Sequence, residues 1–266
     1  MKKKLISTAI TVSLIFLLSL PFIKSSPDVY LPILMYHDVS PSGTEPGPYS
    51  VSEEKFRSDM EYLHENGYKT ITADALIAYK ALGARPDDKT VMITFDDGYA
   101  TNYTTAYPIL KELQLKATIA VIGYNIESGN FASFMTPDQA RELQQSGVID
   151  IQSHTYDLHH GEDITDTPPY GRGIYRNSNE TKADYQKRLR NDLEKSQQFL
   201  ESIGSELKLI AFPYGICDPW AKEVLDSMNV RVTLLTGDKL HKYTGSNYNL
   251  LRLSVHEHTD LSKILP

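Results

Sequence analysis

Short β-branched runs alternate with longer amphipathic stretches along most of the chain. We predict strands where apolar residues run together and helices where they recur every three or four residues. The predicted strands span residues 29–35, 91–95, 117–121, 148–152, 209–212, 230–235 and 250–255. The predicted helices span residues 52–66, 72–82, 107–113, 136–145, 184–203 and 220–228. This alternation predicts an α/β fold built on a parallel sheet or a barrel.

The N-terminus departs from this pattern. Lys2, Lys3 and Lys4 precede an apolar run from Leu5 to Ile23. A basic start followed by an apolar segment is typical of an export signal. The run is long for a cleaved signal and close to the minimum for a membrane span, so both interpretations stay open. We expect residues 1–25 to be a signal peptide or an anchor in contact with a membrane, and the rest of the chain to be extracellular or at the cell surface.

The composition is that of an acidic globular protein, with 41% hydrophobic and 23% charged residues. The formal net charge is -7, and without residues 1–25 the remaining 23 basic and 34 acidic side chains give about -11. This charge argues against nucleic acid as a partner. The single cysteine, Cys217, excludes an intramolecular disulfide and a multi-cysteine zinc site.

Polar motifs follow three of the predicted strands. They are Asp96-Asp97-Gly98, the segment 153–159 and Pro213-Tyr214-Gly215. The carboxyl ends of parallel strands gather at one rim of an α/β fold, so we expect these motifs to form one site. Adjacent side chains on extended backbone point in different directions, so one aspartate could bind a metal while the other faces a water on that metal. Taken alone, Asp-Asp-Gly is more often a solvated turn.

Histidines crowd into the second motif. His154 and His159 lie five residues apart and His160 follows directly. Imidazoles suit zinc and other late divalent metals, and a carboxylate beside two imidazoles leaves a coordination position for water. His160 has the weaker claim because its neighbour His159 can reach the same ion. The alternative is a group of solvated loop histidines.

These motifs resemble those of the polysaccharide deacetylase family, carbohydrate esterase family 4 with its NodB-homology domain. The matching segments are T-F-D-D-G at 94–98, S-H-T-Y-D-L-H at 153–159 and F-P-Y-G at 212–215. M-Y-H-D at 35–38 and the histidine spacing are similar to the poly-N-acetylglucosamine deacetylase subgroup. The resemblance implies a distorted (β/α) barrel of the NodB-homology type. Residues 26–90 would form the N-terminal part of the barrel with a long loop, and residues 91–266 the deacetylase domain.

The resemblance also implies a role for each motif residue. Asp96 would be the general base, Asp97, His154 and His159 the metal ligands, and the Tyr214 backbone N–H an oxyanion donor. An amide carbonyl is a poor electrophile, so the metal must polarise it and lower the pKa of the attacking water. The tetrahedral oxyanion then needs a hydrogen-bond donor beside the metal.

Other positions are less specific. The family has a general-acid histidine near its C-terminus, and His256 is the candidate here, with Glu257 as a neighbouring carboxylate that would favour the imidazolium. The alternative is that His256 and the nearby His258 are exposed side chains. Pro213 and Trp220 are expected to bind substrate with Tyr214, although the only tryptophan could equally belong to the core. His37 and Asp38 could orient the site or have a structural role.

We therefore expect a hydrolase that removes N-acetyl groups from an extracellular N-acetylglucosamine-containing polysaccharide by attack of metal-bound water. The ion is expected to be Zn²⁺, although Co²⁺ or Ni²⁺ would accept the same ligands. The expected partner is the polysaccharide and the expected state a monomer. Peptidoglycan, chitin oligomers and poly-N-acetylglucosamine all offer the same acetamide. An inactive carbohydrate-binding homologue at the cell surface is the alternative.

Overall fold

The computed structural model of the protein describes residues 28–159 and 173–265. The predicted signal or anchor segment, residues 1–25, and His160 lie outside the described residues. Within the described part of the chain, no helix is both long enough and apolar enough to cross a membrane.

Strands and helices alternate as the sequence pattern predicts. The strands are β1 (Tyr30–Leu31), β2 (Ile33–Tyr36), β3 (Asp38–Ser40), β4 (Ser50–Ser52), β5 (Lys69–Ile71), β6 (Thr90–Asp97), β7 (Ala117–Val121), β8 (Ile149–Ser153), β9 (Leu209–Ala211), β10 (Val232–Gly237), β11 (His241–Lys242) and β12 (Leu250–Ser254). The helices are α1 (Glu53–Glu65), α2 (Ala73–Leu82), α3 (Tyr107–Glu112), α4 (Gly123–Glu127), α5 (Pro137–Gln145), α6 (Lys182–Ser202), α7 (Ala221–Ser227) and α8 (Leu261–Ile264). A π-helical turn, Asn102–Ala106, runs directly into α3.

A closed parallel barrel forms the centre of the fold. Its strand order is β2-β12-β10-β9-β8-β7-β6, and β6 pairs back with β2 to close the ring. β5 adds to β6 at its amino-terminal half, where Lys69 pairs with Thr90. The expected (β/α) barrel is confirmed.

The strand predicted over 29–35 is wrong as a single element. Pro32 has no N–H and interrupts the ladder, so the segment divides into two strands with different partners. β1 pairs antiparallel with β11, outside the barrel, whereas β2 lies in the barrel between β12 and β6. The expected loop after β2 is flanked by β3 and β4, which pair in parallel.

Strand periodicity explains how the barrel interior carries both core and site. Alternate residues of a strand face the same side, so Met92, Thr94 and Asp96 of β6 share one face, as do Leu250 and Arg252 of β12. Met92 and Leu250 are fully buried in an apolar cluster inside the barrel, to which α2 also contributes. Farther along the strands, the same interior face becomes polar. Asp96 and Arg252 therefore lie next to the apolar cluster, nearer the carboxyl ends of the strands.

Candidate metal centre

A buried ion pair occupies the interior of the barrel at its carboxyl-terminal end. Arg252 Nη1 and Nη2 donate to the two carboxylate oxygens of Asp96 at 2.6 and 2.7 Å. Arg252 is fully buried and Asp96 is 2% exposed. Burial alone would raise the pKa of Asp96, but the adjacent guanidinium outweighs burial and holds that pKa well below its ordinary range. Asp96 is therefore ionised at any working pH.

The side chain of Asp97 points in a different direction from that of Asp96. Its φ of 74° is a left-handed conformation that is uncommon for a residue other than glycine. This turn brings its Oδ1 to 3.6 Å from Nε2 of His154 and 3.7 Å from Nε2 of His159. The three candidate ligand atoms all lie within 4.8 Å of one another. The structure therefore brings the three predicted metal ligands together.

The tautomer of His154 suits a metal ligand. Its Nδ1 lies 2.8 Å from the carbonyl oxygen of Ala211, which can only accept, so Nδ1 carries the proton. Nε2 then has its lone pair facing Asp97. Burial lowers the pKa of His154 to about 3, so the imidazole is neutral at physiological pH. A hydrogen bond from the remote nitrogen is the usual support for an imidazole that binds a metal.

The surroundings of Asp97 fit a cation. Its Oδ1 is buried and has no hydrogen-bond partner among the described residues. Burial, the largest effect, and the neighbouring Asp96 charge together raise the pKa of Asp97 to about 6. Buried charges are normally paired or coordinated to a metal. One carboxylate and two imidazoles are donors that zinc prefers, and three protein ligands leave a further position for water or substrate.

The centre opens into a cavity of about 360 Å³. Its walls include Asp96, Tyr49, Tyr214, His37 and His256. The exposed ring of Tyr214 lies 4.9 Å from the His159 ring, centre to centre. A second, smaller recess of about 170 Å³ adjoins the centre on the side of Tyr99, Phe134 and Asp157.

The segment 213–215 forms the wall beside His159. Tyr214 has a φ of 58°, and the Gly215 N–H donates to the Phe212 carbonyl at 2.9 Å to close the turn. Pro213 is buried behind Tyr214 and does not line the cavity. Tyr214, the predicted oxyanion donor, and Pro213, a predicted substrate contact, thus occupy one tight turn, and of these two residues Tyr214 lines the cavity.

Trp220 is not at the site. Its ring packs against the core, with the Arg176 guanidinium 4.0 Å from its centre and the Tyr185 ring at 6.0 Å. The sequence left both an acetyl pocket and the core open for this side chain, and in the structure it is partly buried against the core.

His256 lines the cavity, but Glu257 does not support it in the expected way. The two carboxylate oxygens of Glu257 accept hydrogen bonds from the N–H and the hydroxyl of Ser52, each at 2.7 Å. The expectation that Glu257 stabilises an imidazolium at His256 is therefore replaced by a structural role. Glu257 ties the loop after β12 to the start of α1.

His37 and Asp38 have separate surroundings. His37 lines the cavity, and its ring lies 5.9 Å from that of Tyr49. The Asp38 carboxylate accepts hydrogen bonds from Ser50 and Thr101, which join β3 to β4 and to the segment after β6. His37 thus faces the site, whereas Asp38 supports the wall.

Sequence reasoning missed Arg252 and Tyr99. Arg252 is a charged residue at an inward position of an otherwise apolar strand, and that break in the pattern was the available signal. The hydroxyl of Tyr99 bonds to Asp97, and its ring stacks on Phe134 with the centres 5.4 Å apart. No pattern in the sequence singles it out from the 17 tyrosines.

The structure is that of an α/β-barrel protein with a carboxylate-imidazole donor set, a candidate metal site, beside an ionised carboxylate at the carboxyl rim of its barrel. The sequence of residues 83–233 matches the polysaccharide deacetylase family. The chain belongs to this family, and the resemblance of its motifs is confirmed.

Relatives and solved structures agree with this assignment. YxkH of Bacillus subtilis (strain 168), which carries a provisional polysaccharide deacetylase name, is 42% identical over 136 residues, 51% of this chain and 46% of YxkH. This chain thus matches about half the length of YxkH. The poly-beta-1,6-N-acetyl-D-glucosamine N-deacetylase of Staphylococcus epidermidis is 27% identical over 78% of this chain and 68% of its own. The structure of a de-N-acetylase from Aggregatibacter actinomycetemcomitans superposes with a TM-score of 0.74 at 27% identity, covering 87% of this chain and 97% of that one.

The donor set predicts how the protein responds to loss of one ligand. Asp97→Asn replaces the carboxylate with a neutral amide, so Zn²⁺ affinity should fall by at least about tenfold. Isothermal titration of the metal-free protein with Zn²⁺ measures this, with elemental analysis of the loaded sample. Asp88→Asn removes the same charge from an exposed loop and should bind like the wild type. Equal affinity in Asp97→Asn would exclude Asp97 as a ligand.

Proposed function

We propose that this protein is a metal-dependent N-deacetylase acting on N-acetylglucosamine units of an extracellular polysaccharide. The observation that carries the proposal is the juxtaposition of two carboxylates with different surroundings. Asp96 is neutralised by Arg252, and Asp97 is buried beside two imidazoles with an unpartnered oxygen. Asp96 therefore suits the role of a general base, and Asp97 that of a metal ligand.

The polymer favoured as substrate is poly-β-1,6-N-acetylglucosamine. Relatives from Staphylococcus and Escherichia bear that substrate in their names. The cavity is open and has the exposed tyrosines Tyr49 and Tyr214 at its walls. Aromatic rings of this kind offer apolar faces to sugar rings while their hydroxyls stay hydrated. A second recess beside Tyr99 leaves room for a neighbouring sugar.

Each step of the proposed reaction is assigned to particular residues of the chain. Asp97, His154 and His159 would hold a divalent ion, which polarises an amide carbonyl and lowers the pKa of water. The Asp96 carboxylate accepts a proton from the attacking water, while Arg252 keeps it ionised and fixed in direction. As the C–O bond forms, the Tyr214 N–H donates to the oxyanion. The C–N bond then breaks as the nitrogen takes a proton from His256, the general acid proposed below, so that the amine stays on the sugar and the acetyl group leaves as acetate.

The completeness of this set argues for an enzyme rather than an inactive binding homologue. The three candidate metal ligands lie together, Nε2 of His154 is 4.0 Å from Oδ2 of Asp96, and Asp96 is bonded to Arg252. A protein that only binds carbohydrate needs neither a buried unpartnered carboxylate oxygen nor a second carboxylate held ionised beside it.

Release of acetate from defined oligomers tests the activity. The metal-loaded protein should release acetate from β-1,6-linked N-acetylglucosamine oligomers, and a chelator should abolish the release because the amide carbonyl is no longer polarised. Added Zn²⁺ should restore it. β-1,4-linked oligomers serve as the comparison for substrate choice. Full activity in a sample shown by elemental analysis to be free of metal would contradict the proposed mechanism.

His256 is proposed as the general acid that protonates the leaving amine. It lines the cavity next to the last barrel strand, within the same opening as Asp96. His256→Ala should lower turnover on amides by roughly two to four orders of magnitude and affect activated aryl esters far less, since their leaving groups need no proton. His258→Ala, an exposed neighbour, is the matched control. Equal, near-normal rates of His256→Ala on both substrates would remove His256 from the mechanism.

We also propose that the catalytic domain lies outside the cell. The support is the basic and apolar N-terminal sequence, which would act as a signal or as an anchor. Protease treatment of intact cells should digest a retained domain, or the culture medium should contain a released one. Recovery only from the cytosol would contradict the proposed location.

A further inference from the structure

Asp192 is a buried carboxylate on the apolar side of α6. Leu189 and Leu193 of the same helix are also buried. Asp192 is 7% exposed, and burial, the largest effect, raises its pKa. A charged group is costly to bury in such surroundings, so its hydrogen-bond partners explain its presence.

Those partners lie between the two candidate metal-binding histidines. Asp192 Oδ1 accepts the N–H of Tyr156 at 2.9 Å, and Oδ2 accepts the N–H of Asp157 at 2.8 Å. Each carboxylate oxygen therefore holds one of two consecutive backbone N–H groups. The nearby Lys195 is directed over the Tyr156 ring, 5.3 Å from its centre.

The loop between His154 and His159, which Asp192 holds, is strained at Thr155. Thr155, next to His154, is a buried β-branched residue with a φ of 71°. Such a conformation persists only when surrounding contacts determine it. The Ser153 hydroxyl accepts the Thr155 N–H at 2.9 Å and itself donates to Ser196, one turn beyond Asp192 on α6.

The opposite side of the loop is held by α4. The N–H groups of Gly123 and Tyr124 donate to the carbonyls of Thr155 and Tyr156 at 3.2 and 2.9 Å. The loop backbone is thus fixed by donors from α4 and by acceptors from α6. His154 is also anchored through Ala211, and His159 stands directly after the loop in sequence, so the path of the loop contributes to its position.

We propose that Asp192 is a positioning residue that sets the spacing of His154 and His159 through the backbone of Tyr156 and Asp157. It does not touch the donor atoms themselves. This inference rests on the proposed metal centre, because the function of the spacing is to let both imidazoles bind one ion.

Asp192→Asn is the sharpest test. The amide has the same shape but presents one acceptor and one donor, so its NH₂ meets one of the two backbone N–H groups. Zn²⁺ affinity should fall about 10- to 100-fold, the usual loss for groups that orient metal ligands. The visible spectrum of the Co²⁺-loaded protein should also change, because the imidazole arrangement changes. Glu194→Gln removes one charge from an exposed position of the same helix and should leave both unchanged.

The melting temperature of each metal-free protein separates loss of metal geometry from loss of fold. If Asp192→Asn does not fold, Asp192→Ser, whose hydroxyl accepts one bond, is measured in its place by the same criteria. Wild-type Zn²⁺ affinity together with a wild-type Co²⁺ spectrum in the folded variant would overturn this inference alone. A wild-type protein that binds no Zn²⁺ would overturn the proposed function, and this inference with it.

Discussion

The buried ion pair between Asp96 and Arg252 is the interaction on which the site depends. Removing one partner of such a pair leaves an uncompensated buried charge and destabilises a protein by about 3–5 kcal/mol. Arg252 Nη1 also lies 3.4 Å from the Thr94 hydroxyl, which donates to the Leu34 carbonyl at 2.7 Å. These contacts link β12, β2 and β6, where the barrel closes. Closure of the barrel and ionisation of the candidate base therefore depend on the same arginine.

Two adjacent aspartates acquire different chemistry from their surroundings. The strand directs Asp96 inward to Arg252, which lowers its pKa despite burial. The left-handed turn at Asp97 directs its carboxylate away from the guanidinium to the two imidazoles, and burial raises its pKa to about 6. The first carboxylate has its counter-charge within the protein. Among the described residues, no lysine or arginine forms an ion pair with the second carboxylate, and a divalent cation would neutralise it.

Much of this arrangement is predictable from sequence because local patterns fix where strands end. The expected convergence of motifs at one rim followed from the parallel strands, and the structure brings Asp97, His154 and His159 together there. Partners from distant elements were not predictable. Arg252 is 156 residues from Asp96, and Asp192 is 36 residues from Tyr156, so only the closed barrel and the docked α6 reveal those contacts. Proximity in sequence can also mislead. Trp220 lies close to the motif at 212–215 in sequence, yet its side chain packs against the core.

Asp96→Asn most directly separates the proposed role of Asp96 in proton transfer from that of Asp97 in metal binding. Bound Zn²⁺ and acetate release from β-1,6-linked oligomers are measured on the same folded sample. We predict wild-type metal content with turnover reduced by roughly two to four orders of magnitude. Normal turnover at full metal content would contradict it and place the base elsewhere.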